Sequence, residues 1–385
     1  MKRIIVCADG TWNNQDQVDA TTRKRRPTNV TKLVRAIPPE APDVSQVVIY
    51  HEGVGTGDVL DRFTGGAFGD GVEHNVRDMY RSILYNYADG DELFLFGFSR
   101  GAFTVRTLAG LLNAVGLLQK GDDFWLPEIY ACYHNGVKSG SPEWEQAFRG
   151  VRGKPRLPII RFVGVWDTVG ALGAPGVLGK IFNRNKYQFH DIGLNEHIRS
   201  AAQALAIDER RKPFAPSVWT KPTDWNGTLQ QAWFPGVHSD VGGGYVPDGL
   251  ANEALHWIVE CAKTQGLVVD DTFLAPYLAC FNSTLHDSMS LKYRLMGPIL
   301  RPIGQADPTS EGLHQATVDR QAMATLAYSP ANVAAHKASG GQRVYDTANI
   351  VRGKPCPPTG TGTVSSPVKL TSDNGTGQSV VSLAR

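Results

Sequence analysis

The segment GFSRG at residues 97–101 places a serine between two glycines in the pattern Gly-x-Ser-x-Gly. A mostly apolar segment, residues 92–98, leads into it, and a helix-like apolar pattern at 102–118 follows almost at once. This is the setting of a nucleophile elbow, a tight strand-to-helix turn that projects the serine hydroxyl above a sheet. Glycines on either side leave out side chains that would clash in such a turn. The pattern therefore predicts that Ser99 is a catalytic nucleophile.

Two simpler interpretations of the same segment compete with the elbow. Ser99 could instead cap the N-terminus of the following helix, since serine is a preferred residue at that position. A phosphate-binding loop also joins a strand to a helix, but it requires a Lys-Ser or Lys-Thr pair that does not follow here. The capping alternative stays open at this point.

A serine hydroxyl is a weak nucleophile until a base takes its proton, and the usual base is a histidine held by a carboxylate. In folds built on the elbow, the chain order is serine, acid, histidine. Among ten histidines, His238 lies beyond Ser99 in a glycine-rich segment that follows an apolar run. We predict that His238 is the base. The simpler alternative is a loop histidine that bonds to Asp240 or to a backbone carbonyl.

The acid should lie between Ser99 and His238, at the end of a strand. Asp167 fits this order because it follows the apolar segment 159–166, the one strand predicted between the elbow and the strand that leads to His238. Asp240 is the alternative acid, since it lies two residues beyond His238. We favour Asp167, because a separate strand can direct it at the histidine; a turn or helix-cap aspartate is the simpler reading.

The oxyanion formed in acyl transfer needs two N–H donors. One is expected from the backbone of Arg100, the residue after the nucleophile, and the other from the loop after an earlier strand. That loop begins Asp9, Gly10, Thr11, and its glycine would let backbone approach the substrate closely. We predict Gly10 or Thr11 as the second donor, with Asp9 as a support for the loop.

Carboxylates at predicted strand ends keep a metal-dependent alternative open. Asp9, Asp167 and Asp240 could gather a divalent cation for phosphoester hydrolysis. The segment around Asp9 also resembles the first motif of haloacid-dehalogenase-type phosphatases, but the required nucleophilic aspartate would fall at Cys7. The sequence contains no Cys-x-x-Cys pair, so it does not indicate a cysteine-rich metal site. The main hypothesis therefore includes no metal or other cofactor, and the divalent cation belongs to the alternative.

These residues must be positioned by strands that alternate with helices. Apolar segments predict strands at 3–8, 47–50, 92–98, 159–166 and 229–237, and helical periodicity predicts helices at 73–87, 102–118, 198–206 and 252–262. Such alternation is typical of a mostly parallel sheet with helices on both faces. The carboxyl ends of the strands then meet at one edge, where ligands bind. Every candidate residue above follows a predicted strand.

Composition is that of an ordinary globular protein. The chain has 385 residues, is 42% hydrophobic and carries a net charge of +2, which gives no reason to expect nucleic acid. No apolar stretch reaches the roughly 20 residues of a membrane-spanning helix, and the N-terminus lacks a signal-peptide pattern. We predict one domain at 1–352, with a core at about 3–262 and a helical or irregular extension at 263–352. Residues 353–385, rich in Gly, Ser, Thr and Pro, are predicted to form a flexible tail.

Five motifs occur in a fixed order along the chain: DGTWN at 9–13, GVGTG at 53–57, GFSRGA at 97–102, VWDTV at 165–169 and GVHSDVGGGY at 236–245. Together they resemble an α/β-hydrolase family long catalogued as of unknown function. The chain is similar to the catalytic domain of the first family of type VI secretion lipase effectors. The resemblance covers roughly residues 3–335, with weaker motifs at 313–318 and 328–332.

The resemblance implies an α/β-hydrolase fold and a serine esterase, with phospholipase A activity in some members. It carries Ser99 over as nucleophile and His238 as base, and Asp167 also matches a family motif. It further implies an ester or lipid substrate, transient contact with a membrane surface, and export from the cytoplasm without a signal peptide. A catalytically silent interaction protein on the same scaffold is the remaining alternative, since fold does not decide function.

Overall fold

The structure, a computed structural model, describes residues 1–11, 13–18, 23–53, 67–170 and 193–347. The strands in these ranges are β1 (Lys2–Ala8), β2 (Glu40–Ala41), β3 (Val44–His51), β4 (Glu92–Phe98), β5 (Ile159–Trp166), β6 (Ser200–Ala206), β7 (Thr228–Phe234), β8 (Glu311–His314) and β9 (Val344–Tyr345). They form one sheet in the order β2-β3-β1-β4-β5-β6-β7-β8-β9, in which only the β2–β3 pairing is antiparallel. The strand that carries the predicted elbow, β4, lies inside the sheet between β1 and β5.

Helices cover both faces of this sheet. The described helices are α1 (Asn29–Ala36), α2 (Ala67–Asn86), α3 (Arg100–Val115), α4 (Leu126–His134), α5 (Pro142–Phe148), α6 (His238–Gly242), α7 (Gly249–Thr264), α8 (Asp271–Leu274), α9 (Leu291–Leu295), α10 (Gln315–Ala322) and α11 (Ala331–Ala338). Helices α2 and α3 pack on one face, and α1 and α7 pack on the other. The predicted fold class, an α/β-hydrolase-like and mostly parallel sheet with helices on both faces, is confirmed.

The continuous apolar run of β4 follows from this layering. Leu93 and Leu95 belong to the core cluster beneath α2 and α3. Phe94 and Phe96 point the opposite way, into the cluster formed with α1 and α7. All four side chains are fully buried. Because successive side chains of a strand alternate between faces, a strand covered on both faces must be apolar at every position.

The five predicted strands correspond to β1, β3, β4, β5 and β7. Two of them, β4 and β5, have the predicted bounds. Strand β7 ends at Phe234, earlier than the predicted 237, because Pro235 has no N–H to donate to the ladder. Gly236 then turns the chain with a φ of 112°, a region that favours glycine.

The predicted helix at 198–206 is wrong, because Ser200–Ala206 is the interior strand β6. Its sequence SAAQALA favours helix by intrinsic propensity. All seven residues are nevertheless buried between β5 and β7, where small side chains fit beneath α7. Tertiary packing therefore overrides local preference. Two strands, β5 and β6, separate the elbow from the strand that leads to His238, rather than the single strand assumed from the sequence.

The residues beyond the predicted core extend the same sheet. Strand β8 pairs with β7, and β9 pairs with β8, both in parallel.

The domain bounds predicted from the sequence stay a prediction. The tail predicted at 353–385, Trp12 and most of the motif at 53–57 lie outside the described residues. Among the helices that are described, none is long and apolar enough to cross a bilayer.

Candidate active site

Ser99 lies in a strained turn between β4 and α3. Its φ of 57° and ψ of −122° belong to a region that residues other than glycine rarely adopt. The neighbouring glycines make this turn fit: a Cβ on Gly97 would lie 2.6 Å from the backbone nitrogen of Ala102, and a Cβ on Gly101 would lie 2.2 Å from the carbonyl oxygen of Ala8. The steric reason predicted for the two glycines is confirmed.

The Ser99 hydroxyl is directed at His238, the first residue of α6. The distance from Ser99 Oγ to His238 Nε2 is 2.7 Å. Ser99 precedes α3 but its side chain makes no capping bond to that helix. Both side chains are almost fully buried. The described hydrogen bond of the hydroxyl is therefore to the imidazole of His238 rather than to the helix N-terminus, contrary to the capping alternative.

Asp167 lies on the opposite side of the imidazole, directly after β5. Its Oδ2 is 2.5 Å from His238 Nδ1. An ionised carboxylate only accepts hydrogen bonds, so Nδ1 carries the ring proton and Nε2 is left to accept from Ser99. The end of β6 holds Asp167 in place, because its carboxylate accepts from the N–H of Ala206 at 3.0 Å. The structure thus brings Ser99, His238 and Asp167 together in one hydrogen-bonded chain.

A buried arginine that no sequence motif marks also holds Asp167. Arg301 is fully buried and donates from Nη1 to Oδ1 at 2.6 Å and from Nη2 to Oδ2 at 3.0 Å. It also donates to the carbonyls of Ala206 at 2.8 Å and Phe214 at 2.6 Å. Arg301 is 134 residues from Asp167 in the chain. Its apolar neighbours Ile299 to Ile303 were the only sequence signal of burial.

Burial and charge set the protonation states of this chain of residues. Burial raises the pKa of Asp167, but Arg301 and His238 outweigh it and hold that pKa well below the ordinary value for aspartate. Burial lowers the pKa of His238, and Asp167 offsets this only in part. The carboxylate is therefore ionised and the imidazole neutral near pH 7, which are the states that a general base needs.

Aromatic and charged groups enclose the imidazole of His238. The ring of Phe98 lies 4.7 Å from it, and that of Phe214 packs edge-on at 5.0 Å. Glu209, also fully buried, accepts from the backbone N–H of His238 at 3.2 Å and forms an ion pair with Arg211 at 2.8 Å. These contacts fix the position of the imidazole of His238. Glu209 and Arg211 are further residues around His238 that no sequence motif marks.

Asp240, the alternative acid, contacts a different histidine. Its Oδ1 is 2.5 Å from Nδ1 of His286, and its Oδ2 accepts from the backbone N–H groups of His286 and Val237, both at 3.1 Å. The contacts described for this carboxylate tie the segment around residue 286 to the loop before α6. Asp240 thus supports the backbone next to His238, while the described partner of the His238 ring is Asp167.

Asp9 fixes the loop after β1. Its carboxylate accepts from the N–H of Gly10 at 2.7 Å and from the hydroxyls of Thr28 at 2.7 Å, Thr31 at 3.1 Å and Tyr50 at 3.0 Å. Burial raises the pKa of Asp9 to about 6, although these bonds favour the ionised form. Asp9 thus links the loop after β1 to Thr28, Thr31 and Tyr50, and its role as a support for the site stays a prediction.

In the same loop, the side-chain hydroxyl of Thr11 makes no described hydrogen bond. Gly10 has already committed its N–H to Asp9, and its carbonyl accepts from Asn13 at 2.9 Å. The buried Thr11 hydroxyl has no hydrogen-bond partner among the described residues. The loop packs closely on Gly53, where a Cβ would lie 1.8 Å from the Gly10 carbonyl oxygen. Of the two residues, the N–H of Gly10 is already bonded, whereas the Thr11 hydroxyl has no partner among the described residues.

The three carboxylates of the metal-dependent alternative do not share a site. Asp9 is held by hydroxyls and a backbone N–H, Asp167 by His238 and Arg301, and Asp240 by His286. In the part of the chain that the structure describes, no group of three or more His, Cys, Asp or Glu side chains is arranged to hold a metal ion.

Comparison with known proteins gives one family and several partial relatives. The model of a family described as "T6SS, Phospholipase effector Tle1-like, catalytic domain" matches residues 2–261. The uncharacterized protein YEL023C of Saccharomyces cerevisiae is 27% identical over 241 residues, which is 57% of this chain and 33% of that protein. The chain therefore spans about a third of the length of this curated relative.

Two solved structures are similar over part of their length. An uncharacterized protein from Pseudomonas aeruginosa matches at 17% identity with a TM-score of 0.45, covering 76% of this chain and 48% of that one. The Tle1 effector bound to the VgrG spike of the type 6 secretion system matches at 20% identity with a TM-score of 0.36, covering 63% of this chain and 51% of that one.

Proposed function

We propose that this chain, which belongs to the family of type VI secretion Tle1-like phospholipase effector catalytic domains, hydrolyses carboxylic acyl esters through a covalent acyl-enzyme on Ser99. Phospholipases act on ester bonds, so membership agrees with the ester-bond hydrolase predicted from the sequence. The observation that carries the detailed proposal is the contact chain from Ser99 Oγ through the His238 ring to Asp167, with distances of 2.7 Å and 2.5 Å.

In the proposed reaction, Ser99 Oγ attacks the ester carbonyl carbon while His238 Nε2 takes the hydroxyl proton. The carbonyl oxygen becomes an oxyanion, and His238 then gives its proton to the leaving alcohol as the acyl-enzyme forms. A water molecule repeats the attack with the same proton transfers, releasing the acid and restoring Ser99. Asp167 keeps the Nδ1 proton in place throughout and stabilises the transient imidazolium.

Two donors are proposed for the oxyanion. One is the backbone N–H of Arg100, the residue after the nucleophile and the first of α3. The other comes from Thr11, through its N–H or its hydroxyl, because the N–H of Gly10 is bonded to Asp9. The partial positive charge at the N-terminus of α3 adds to the stabilisation of negative charge at this point.

The proposed substrate is a lipid acyl ester, with phospholipase A-type cleavage. Helix α9 supports this proposal because it lies beside the base and exposes apolar residues. Its Tyr293 packs edge-on against Phe214, 6.3 Å away, and Phe214 in turn packs on His238. Leu291 and Leu295 of the same helix are 74% and 81% exposed.

Basic residues accompany these exposed leucines. Lys292 and Arg294 lie between them in α9 and both are exposed, with Arg294 paired to Asp287 at 2.9 Å. Exposed apolar side chains next to cationic ones suit a membrane surface that carries anionic lipid. We define Leu291, Lys292, Arg294 and Leu295 as the α9 surface and propose that it makes the transient membrane contact expected from the sequence.

Replacing Leu291 and Leu295 together by serine should lower hydrolysis of anionic phospholipid vesicles by about 10-fold, because removing part of the transfer free energy of two leucines weakens binding by at least about 1.4 kcal/mol. Hydrolysis of a soluble short-chain p-nitrophenyl ester should stay near the wild-type rate. Initial rates on both substrates measure the difference.

A matched control for this variant is Leu157→Ser. Leu157 is 54% exposed and precedes β5, at the edge of the sheet opposite the carboxyl ends of the strands. Its vesicle activity should be unchanged. Equal losses on vesicles and on the soluble ester in the α9 variant, or an equal vesicle loss in Leu157→Ser, would contradict a specific membrane contact by the α9 surface.

The proposed function is tested by incubating the chain with a panel of phospholipid classes and identifying products by mass spectrometry, with and without a chelator. The expected products are free fatty acid and lysophospholipid, at rates that the chelator leaves unchanged. Products cleaved at the phosphate ester, or activity that the chelator removes and a divalent ion restores, would favour the metal-dependent alternative. Labelling of Ser99 by a fluorophosphonate distinguishes an active enzyme from a silent scaffold protein.

The family description names effectors of the type VI secretion system. Export of this chain without a signal peptide, expected from the sequence, is therefore part of the proposal.

A further inference from the structure

We propose that Arg301 is a positioning residue of the reaction, which orients the Asp167 carboxylate and thereby sets both the geometry and the charge balance around His238. The inference rests on the esterase function proposed above. It adds to the site a residue that lies beyond the segment matched by the family, residues 2–261.

Four hydrogen bonds from its two terminal nitrogens orient the guanidinium of Arg301, while Nε has no hydrogen-bond partner among the described residues. Two of its nitrogens donate to the two oxygens of Asp167, and the same two nitrogens donate to the carbonyls of Ala206 and Phe214. A guanidinium is planar, and a two-pronged pairing with a carboxylate fixes the plane of both groups. The plane of the Asp167 carboxylate, and so the direction of its bond to His238, therefore depends on Arg301.

One carboxylate oxygen is shared between the arginine and the base. Asp167 Oδ2 accepts from Arg301 Nη2 at 3.0 Å and from His238 Nδ1 at 2.5 Å. The imidazolium formed during attack therefore faces an Asp167–Arg301 pair with no net charge, rather than a lone carboxylate. The arginine should make protonation of His238 less favourable, so that the imidazole stays neutral and available as a base.

Other charged groups also face the imidazole. Glu209 favours the protonated ring of His238 and Arg211 opposes it, and these two form an ion pair with each other. A change at Arg301 leaves both of them in place. The effect of Arg301 on the base can therefore be isolated by substitution at residue 301 alone.

A buried ion pair with a purely structural role would have a high desolvation cost at this position. Removing an arginine and a carboxylate from water has a desolvation cost that often exceeds their attraction, and apolar pairs of similar size are commonly as stable. Asp167 is required by the proposed chemistry, however, and its fully buried charge needs compensation. Arg301 supplies that compensation while leaving Oδ2 accessible to His238.

The test compares Arg301→Gln, which removes the charge, with Arg301→Lys, which keeps it. In a Ser99→Ala background, the His238 ring is titrated by 15N nuclear magnetic resonance. We expect the pKa of His238 to rise in Arg301→Gln, because a nearby positive charge is lost, and to change little in Arg301→Lys. This readout does not require hydrolysis, and a substitution that only lowered thermal stability would not move it.

Kinetics supply the second readout. With Ser99 intact, Arg301→Gln should lower kcat by about 10- to 100-fold, as expected when a group that aligns the base is lost. The acid limb of its pH–rate profile should move to higher pH. Arg301→Lys should keep the position of that limb but lose part of kcat, because a single ammonium group does not align both carboxylate oxygens.

A double-mutant comparison shows whether Arg301 acts through Asp167. If it does, Asp167→Asn with Arg301→Gln should be no slower than Asp167→Asn alone. Arg320→Gln is the matched control, since Arg320 is also buried and donates to the carbonyls of Phe281 and Ser283. That variant should alter thermal stability without moving the His238 titration.

A folded Arg301→Gln variant with the parent His238 titration and the parent kcat would overturn the inference. If Arg301→Gln does not fold, Arg301→Lys decides, because a wild-type kcat in that variant would remove the orienting role. If the wild-type chain neither hydrolyses acyl esters nor reacts with a fluorophosphonate, the proposed function fails. The titration still decides what Arg301 does to His238 in that case.

Discussion

Alanine in place of Ser99 should lower kcat for acyl-ester hydrolysis by about 10⁴-fold or more, since removal of a triad nucleophile leaves only binding and oxyanion stabilisation. The fold should persist. Alanine occupies the positive-φ turn at a strain similar to that of serine, and the substitution removes one side-chain hydrogen bond, to His238. Thermal unfolding of the variant should therefore stay close to that of the wild type.

The rate is measured with p-nitrophenyl acyl esters, and the nucleophile is identified by fluorophosphonate labelling of the wild type but not of Ser99→Ala. Ser239→Ala is a useful control, because Ser239 follows His238 in the short helix α6 without contacting Ser99 in the described hydrogen bonds. It should retain labelling and most of the activity. Substantial turnover by Ser99→Ala would remove the nucleophile from the proposal.

The local part of this site is predictable because the elbow depends on neighbours in sequence. The features that define the elbow are adjacent to Ser99 in the sequence. They are an apolar strand, two glycines that leave room for a crowded turn, and an apolar helix. The structure keeps that arrangement at β4 and α3. The bounds of β4 were predictable for the same reason, since a strand covered on both faces is marked by an unbroken apolar run.

Contacts between distant segments were not predictable in this way. Strand β6 has a helix-favouring sequence and becomes a strand only because β5 and β7 lie on either side of it. Arg301 and Glu209 have no periodic or motif signal, because their roles come from burial against Asp167 and His238 rather than from spacing along the chain. A single sequence without its partners in space does not contain that information.

The identity of the acid depends both on the order of residues in the sequence and on contacts between distant segments. The order of residues in the sequence favours Asp167 but does not exclude Asp240, because a residue two positions from His238 is close enough for direct contact. The described contacts give each aspartate its own histidine, His238 for Asp167 and His286 for Asp240. The two aspartates are thus similar in burial and in their short bond to a histidine ring, which makes them a matched pair for substitution.

Asp167→Asn should lower kcat by about 10⁴-fold, because an amide in that position no longer fixes the Nδ1–H tautomer of His238. It also leaves the charge of Arg301 buried without its partner, so thermal stability should fall as well. Asp240→Asn should weaken the link to His286 and also lower stability, but its rate should stay within about 10-fold of the wild type, because the described contacts of the reacting groups do not include Asp240.

The comparison is made at temperatures equally far below the midpoint of each variant, so that unfolding does not enter the rates. Titration of the His238 ring gives an independent test, because the expected change in its pKa differs between the two variants. Burial disfavours the imidazolium and Asp167 favours it, so the pKa of His238 should fall further in Asp167→Asn and hardly move in Asp240→Asn. A rate loss in Asp240→Asn as large as that in Asp167→Asn would transfer the role of acid to Asp240, and with it the proposed function of Arg301 would lose its basis.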